Sequence, residues 1–152
     1  MSSVHTNHSI VCVRLSSLLF QFVEQHKLGE VCDSSLGCRL SSDLLLSPDI
    51  SFVSKFRLKR ILVAGDKFLQ GAPDLVVEVL SPSDRMVQVN RKLEHYFEHG
   101  TQLVWLVNWR KAQVHIYTAD SIEALTRPND VLTGGKVLPG FKCKLSRIFG
   151  PT

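Results

Sequence analysis

Apolar residues recur at helical spacing near the start of the chain. Between residues 9 and 24 they repeat every three or four positions, which predicts an amphipathic helix. Asn7 or Ser9 is a suitable N-terminal cap, and Gly29 is expected to end the segment.

The same period returns once more, over about residues 85–98. Ser83 can cap this second helix, and Gly100 is expected to stop it. Its apolar stripe consists of Met86, Val89, Leu93, Tyr96 and Phe97.

Three segments have the composition of buried strands. "APDLVVEVL" and "QLVWLVNWR" are nearly continuous apolar runs, which is typical of strands covered on both faces. "AQVHIYTA" predicts a third strand, joined to the second by a turn at Arg110-Lys111.

The remaining segments are shorter or less regular. "EVCDSSLGCRL" predicts two short strands around a Ser-Ser turn, and "DLLLSPDISFVS" predicts a strand bent or interrupted at Pro48. Residues 55–70 are expected to be mostly loop. The tail is expected to hold a short extended piece and a hydrophobic anchor at Ile148-Phe149.

This order of elements predicts a mixed α+β (α/β) fold, with a central mixed β-sheet flanked by helices. The strand–helix–strand unit over residues 74–107 favours a parallel central pair. A length of 152 residues predicts one domain, spanning 1–152.

Composition narrows the class of protein further. No apolar run approaches the ~20 residues of a membrane helix, and the four cysteines form no C-x-x-C pair, so a cytoplasmic protein is expected. The net charge of +4 is compatible with a polyanionic partner. His8, His26, His95 and His99 are expected to be surface residues rather than ligands.

Glu78 is the residue that most needs an explanation, because it interrupts a buried Val/Leu run. A buried carboxylate requires a cation, a metal ion or a proton. Asp74 lies on the same face of the strand, but four residues at a rise of ~3.3 Å place it about 13 Å away. Asp49, on a neighbouring strand, can instead lie opposite Glu78 at ~5 Å.

Asp49 and Glu78 are therefore the predicted metal pair, and Mg²⁺ is the expected ion, with Mn²⁺ as an alternative. Lys92, which flanks the core stripe of the second helix, can extend towards them. Metal-dependent phosphodiester hydrolysis needs this combination of a metal, acids and a lysine. The candidate contacts to DNA phosphates are Arg57, Lys59, Arg60, Arg85 and Arg91.

Four ordered blocks of sequence resemble a known family. "SPDISFV", "APDLVVEVLSPSD", "KLEHYFEHG" and "QLVWLVN" are similar to the Uma-type family of bacterial endonucleases, within the PD-(D/E)XK restriction-endonuclease-like superfamily. The resemblance implies that Asp49 and Glu78 hold the metal, that the lysine has moved from Leu80 to Lys92, and that Asp74 also belongs to the site. It also implies that this chain is short at its N-terminus.

The expected function is that of a metal-dependent DNA endonuclease, with DNA as partner, no membrane association and a homodimer as a candidate assembly. Two alternatives stay open. The first is a catalytically inactive DNA-binding module that retains the fold. The second is a protein-interaction module that pairs through an exposed sheet edge.

Overall fold

A six-stranded mixed sheet forms the centre of the molecule. The computed structural model describes residues 3–61 and 67–150, with side chains for 6–60 and 67–150. The helices are α1 (Ser3–His26), α2 (Lys55–Ile61), α3 (Met86–Glu98) and α4 (Leu145–Phe149). The strands are β1 (Gly29–Cys32), β2 (Cys38–Ser41), β3 (Leu44–Leu46), β4 (Ile50–Ser54), β5 (Leu69–Gln70), β6 (Leu75–Val79), β7 (Leu103–Asn108), β8 (Gln113–Tyr117), β9 (Ile122–Leu125), β10 (Val131–Gly134) and β11 (Leu138–Lys144).

The strand order in the central sheet is β1-β4-β6-β7-β8-β9. Strands β6 and β7 are parallel and are joined through α3, whereas the other neighbouring pairs are antiparallel. Two small sheets complete the described part of the fold, β3-β2-β5 and the hairpin β10-β11. The predicted mixed α+β fold and its parallel central pair are confirmed.

Two hydrophobic clusters cover opposite faces of this sheet. Helix α1, the β10-β11 hairpin and α4 pack on the face to which Val77 and Val79 point. Helix α3 and the β2-β3-β5 sheet pack on the face to which Val76 points. Because side chains alternate along a strand, Glu78 belongs to the same face as Val76 and looks towards α3.

The register between β4 and β6 decides which acids can meet. Ile50 pairs with Val77 and Phe52 pairs with Leu75, in antiparallel orientation. Continuing this register by one residue places Asp49 opposite Glu78, as the strand geometry predicted. It also places the end of β4, where α2 begins, beside the start of β6. The two ends of β6 therefore have different neighbours.

Several local predictions are confirmed. The segment around Pro48 is divided into β3 and β4, which belong to different sheets. The turn between β7 and β8 lies at residues 109–112. Ile148 is fully buried, and Phe149 packs partly against the same cluster, so the C-terminal anchor is also confirmed.

The helix boundaries were predicted less well. Helix α1 begins at Ser3, earlier than the predicted caps. Helix α3 is preceded by Arg85 in extended conformation, without a side-chain cap, so the prediction that Ser83 caps it is wrong. Asp84 instead closes this loop, because its carboxylate accepts a hydrogen bond from the Ser81 amide at 2.7 Å.

The segment predicted as loop is partly helical. Residues 55–61 form α2, residues 69 and 70 form β5, and residues 62–66 lie outside the described part of the chain. The Ser54 hydroxyl accepts a hydrogen bond from the Arg57 amide at 3.3 Å, which is the geometry of an N-terminal cap. Strand β9 and the pairing of β10 with β11 were not predicted either.

Within residues 3–61 and 67–150, no helix is both long enough and apolar enough to cross a membrane.

Candidate active site

Glu78 lies near the carboxyl end of β6 and is 8% exposed. The Tyr96 hydroxyl, from α3, donates a hydrogen bond to Glu78 Oε1 at 3.0 Å. Lys92, one helical turn earlier, places its Nζ 3.7 Å from Glu78 Oε2. The same helix therefore supplies a partner for each carboxylate oxygen, because residues four apart on a helix share a face.

These partners compensate only part of the cost of burial. Desolvation raises the pKa of the Glu78 carboxyl from 4.5 to about 7. The ammonium of Lys92 lowers this pKa, the charge of Asp49 raises it, and the hydrogen bond from Tyr96 lowers it. Burial also raises the pKa of the Tyr96 phenol, so this group stays a neutral donor. Near neutral pH, Glu78 is poised between its protonated and ionised forms.

Asp49 lies at the start of β4, opposite Glu78. Its Oδ2 accepts a hydrogen bond from the Val79 amide at 2.8 Å, which fixes the carboxylate against the end of β6. His8, from α1, places Nε2 3.5 Å from the same Oδ2 and 3.1 Å from the Val79 carbonyl oxygen. His8 is half-buried, with 28% of its side chain exposed, and lies beside Asp49.

An open groove gives access to this side of the site. It lies between α1 and β1, has a volume of about 630 Å³, and has His8, Cys12, Cys32 and Asp49 in its wall. A small ligand can therefore approach the carboxylate of Asp49 from solvent.

Asp74 has different surroundings at the opposite end of β6. Its Oδ2 accepts a hydrogen bond from the Ser54 amide at 2.7 Å, and its Oδ1 lies 3.6 Å from Arg57 Nη1. Both partners belong to the junction of β4 and α2. The structure places Lys92 against Glu78 and bonds Asp49 to the amide of the next residue, Val79, but it places Asp74 with Arg57.

The candidate DNA-binding residues are divided in the same way. Lys59 and Arg60 are exposed on α2, at the Asp74 end, while Arg57 is turned towards Asp74. Arg85 and Arg91 are exposed at the start and in the second turn of α3, the helix that begins next to the Glu78 end. A pocket of about 280 Å³ at this end has Arg110 and Lys111 in its wall.

The donor atoms fit a hard divalent cation in their chemistry. Asp49 and Glu78 supply carboxylate oxygens, and the Val79 carbonyl oxygen lies near Asp49, since both are within 3.5 Å of His8 Nε2. Mg²⁺ prefers such ligands and usually takes one or two carboxylates. In the described ranges 3–61 and 67–150, no three or more His, Cys, Asp or Glu side chains form a group that could hold a metal. The candidate site therefore offers two acidic side chains and a backbone oxygen rather than a closed cage.

Two residues of the site were not assigned a role from the sequence. Tyr96 was placed only in the core stripe and on the same side of α3 as Lys92. His8 was dismissed, although its spacing from Val11 and Leu15 puts it on the buried face of α1. That spacing was the available signal.

The fold is shared with a solved structure of another protein. A crystal structure of a putative nuclease belonging to DUF820 from Anabaena variabilis ATCC 29413 aligns with a TM-score of 0.83 and 22% sequence identity. The alignment covers 94% of this chain and 80% of that chain. A search of curated proteins finds no match.

A family model gives the assignment at the level of sequence. The model of the Uma2 family, described as "Putative restriction endonuclease", matches residues 1–146. The chain belongs to the Uma2 family, which confirms the resemblance found in its four sequence blocks.

Proposed function

We propose that this protein is a metal-dependent endodeoxyribonuclease that hydrolyses phosphodiester bonds. Membership of a family of putative restriction endonucleases supports a hydrolase that acts on nucleic acid. The observation that carries the finer proposal is that, at one end of β6, Lys92 lies 3.7 Å from Glu78 and Asp49 is bonded to the adjacent Val79 amide. Two acids on adjacent strands with a lysine against one of them are the components of a metal-assisted phosphodiesterase site.

Asp49 and Glu78 would hold Mg²⁺ or Mn²⁺, with the Val79 carbonyl oxygen beside them. When bound, the ion supplies an activated water and offsets charge on the scissile phosphate. Lys92 contributes a positive charge that stabilises the phosphate and orients the water. Its side chain is 41% exposed, which leaves the ammonium accessible to a substrate. Tyr96 holds the Glu78 carboxylate in place.

Asp74 acts as a positioning residue in this proposal. Its bond to the Ser54 amide ties β4 to β6 at the far end of the pairing that sets Asp49 opposite Glu78. A shift of the register by one residue would move every side chain of β4 to the other face. Asp74 therefore supports the metal pair without touching it.

DNA contacts are proposed mainly at the Glu78 end. Arg85 and Arg91 lie on the helix that also carries Lys92, and their charges would neutralise phosphates close to the scissile bond. Lys59 and Arg60 are separated from the acids by the length of β6, about 13 Å at a rise of ~3.3 Å per residue. They would reach only flanking DNA. The ion pair of Arg57 with Asp74 gives this arginine a role in the fold.

Nicking of supercoiled plasmid in Mg²⁺ or Mn²⁺ tests the proposal. The wild-type chain is compared with Glu78→Gln, Asp49→Asn and Lys92→Met, and with Glu94→Gln as the matched control on the exposed face of α3. Loss of a metal ligand removes several kcal/mol of transition-state stabilisation, so we expect the rate to fall by about 10³-fold for Glu78→Gln. Equal nicking by wild type and Glu78→Gln would refute the assignment.

A catalytically inactive module is the second candidate. It is favoured by one observation: both oxygens of Glu78 already have partners on α3. Calorimetric titration with Mg²⁺ separates the two functions. An endonuclease should bind the ion in a manner that depends on Asp49 and Glu78. DNA binding without any acid-dependent metal binding would instead identify the inactive module.

A further inference from the structure

Two large apolar side chains are exposed at the end of the molecule that carries Glu78. Met86 and Val87, in the first turn of α3, are 47% and 75% exposed. The buried residues of this helix begin at Val89, so Met86 lies outside the core stripe in which the sequence placed it. A ligand that covered both side chains would gain the free energy of removing them from water.

The turn between β7 and β8 lies next to this apolar pair. Strands β6 and β7 are parallel and end together, and the Leu80 amide donates a hydrogen bond to the Val107 carbonyl at 2.8 Å. This bond holds the loop after β6 against the end of β7. The pocket of about 280 Å³ at this end has Met86, Arg110 and Lys111 in its wall. The apolar pair therefore lies beside a basic turn.

Positive charge predominates around the apolar pair. Arg85 immediately precedes it in the chain, and Arg85, Arg110 and Lys111 are all exposed. Asp84 lies in the wall of the same pocket, and its Oδ2 accepts a hydrogen bond from the Ser81 amide at 2.7 Å. These basic residues outnumber an acid that already has a partner, so this surface is complementary to a polyanion.

The turn between β7 and β8 is held by its own side chains. Asn108 Oδ1 accepts a hydrogen bond from the Lys111 amide at 3.2 Å, and the Arg110 guanidinium lies 5.6 Å from the centre of the Trp109 ring. A basic loop whose conformation is already fixed loses less conformational entropy when it binds a partner. The turn therefore presents its two cations in a largely preformed arrangement.

The size of the apolar pair indicates the kind of partner that it fits. A stable protein–protein interface buries about 800 Å² on each partner, far more than two side chains provide. Proteins that bend DNA, in contrast, insert apolar side chains such as methionine between neighbouring base pairs and combine these wedges with arginine and lysine contacts. An apolar pair with basic neighbours therefore fits DNA better than a second protein.

We propose that Met86 and Val87 form an apolar wedge that enters duplex DNA and unstacks one base step, while Arg110 and Lys111 bind the phosphates beside it. This inference rests on the proposed function and narrows its substrate. Val87 precedes Lys92 by five residues, a rise of about 7.5 Å along α3 at ~1.5 Å per residue. Base pairs are ~3.4 Å apart, so the unstacked step would lie about two base pairs from the scissile phosphate. Pyrimidine–purine steps such as TA are the most easily unstacked, so the chain should prefer them.

A duplex with a fluorescent adenine analogue at a TA step tests the wedge, because the analogue brightens when it is unstacked. The full chain is compared with Met86→Ala and Val87→Ala, in the presence of a chelator so that the duplex stays intact. Ile122→Ala is the matched control, because Ile122 is 65% exposed and the strand register places it at the Asp74 end of the sheet. Plasmid nicking in Mg²⁺ by the same variants is a second readout, and denaturation curves show whether each variant folds.

We expect the wild-type chain to brighten the analogue, and each wedge variant to lose most of this signal. Because each variant removes apolar carbons that DNA would cover, the two variants should bind the duplex and nick plasmid about tenfold less well than wild type. Ile122→Ala should match wild type in every measurement.

The outcomes separate the wedge from the proposed function. If both wedge variants match wild type while Glu78→Gln abolishes nicking, the wedge is refuted and the proposed function stands. Weaker binding without any change in fluorescence would also refute the wedge, because the pair would then contact DNA without unstacking it. If wild type brightens the analogue in a manner that depends on Val87 but nicks no plasmid, the nuclease function fails and the wedge stands. A chain that neither binds nor nicks DNA would refute both.

Discussion

An acid lies at each end of β6, and the surroundings of the two acids distinguish a structural residue from a candidate catalytic one. Asp74 accepts a hydrogen bond from the Ser54 amide and lies beside Arg57, so its partners belong to the scaffold. Glu78 is also buried, but its partners are a phenol and a half-exposed lysine, and its pKa is raised to about 7.

The difference lies in what compensates each charge. A carboxylate that is paired with a backbone amide and an arginine contributes to stability and is costly to remove. A carboxylate whose pKa is raised by burial costs stability when it is ionised. Two acids of the same strand should therefore respond to substitution with opposite signs.

Replacement of Asp74 should have the largest effect on stability. Asp74→Ala leaves the Ser54 amide without its acceptor and removes the carboxylate that lies beside the buried Arg57 guanidinium, so we expect the free energy of unfolding to fall by about 4 kcal/mol. Urea denaturation at pH 7 measures this change, with Glu94→Ala as the control for loss of an exposed acid. A decrease below about 1 kcal/mol would mean that Asp74 is not a structural residue.

Replacement of Glu78 should act in the opposite direction. Because the pKa of Glu78 is about 7 in the folded chain against 4.5 in its unperturbed form, the native state binds more protons between these pH values. Protonated Glu78 therefore makes its full contribution to the free energy of unfolding below pH 4.5, and this contribution is lost as the pH rises through about 7. Without metal, Glu78→Gln should be more stable than wild type at pH 8 by on the order of 3 kcal/mol, and nearly equal to it at pH 4.

Denaturation of wild type and Glu78→Gln across this pH range, with a chelator present, measures the difference between their free energies of unfolding. The other titrating groups are the same in both proteins, so their effects cancel in this difference. Addition of Mg²⁺ should reduce the advantage of Glu78→Gln at pH 8, because the ion stabilises only the ionised acid. A difference in stability that does not vary with pH would show that burial does not raise the pKa of Glu78.

The smallest expected effect concerns the basic residues at the two ends of β6, which should differ only in their contribution to DNA binding. Arg85→Ala removes a charge at the Glu78 end, so we expect weaker binding and a salt dependence lower by about one phosphate contact. Lys59→Ala, at the Asp74 end, is the matched comparison and should have a smaller effect on a short duplex. Fluorescence anisotropy at several salt concentrations measures both effects. Equal salt dependences for the two variants would contradict the proposal that DNA binds mainly at the Glu78 end.

The centre of the molecule could be predicted because its signals are local. The Val/Leu runs of β6 and β7, the helical period of α3 and the alternation of side chains were sufficient to place Asp49 opposite Glu78 and Lys92 near it. Each inference required only the geometry of one element or of one pair of neighbouring strands.

Contacts between distant segments explain what was missed. His8 meets Val79 across 71 positions, and nothing in the sequence around His8 specifies where α1 crosses the sheet. Arg57, in "KFRLKR", could be a DNA ligand or a partner of Asp74, and only the fold decides between these roles. Helix α2 was missed because its start depends on Ser54, which was assigned to a strand rather than read as a cap.

The buried carboxylate of Glu78 also has a consequence for protein engineering. Replacement of a buried and only partly compensated charge by a neutral residue is often stabilising, and stabilising substitutions are readily found by selection. A library of this chain sorted for thermal resistance alone should become enriched in neutral residues at position 78 and thereby lose the proposed metal site. Retention of the acid in a selected population would then indicate that a functional requirement, rather than folding, maintains it.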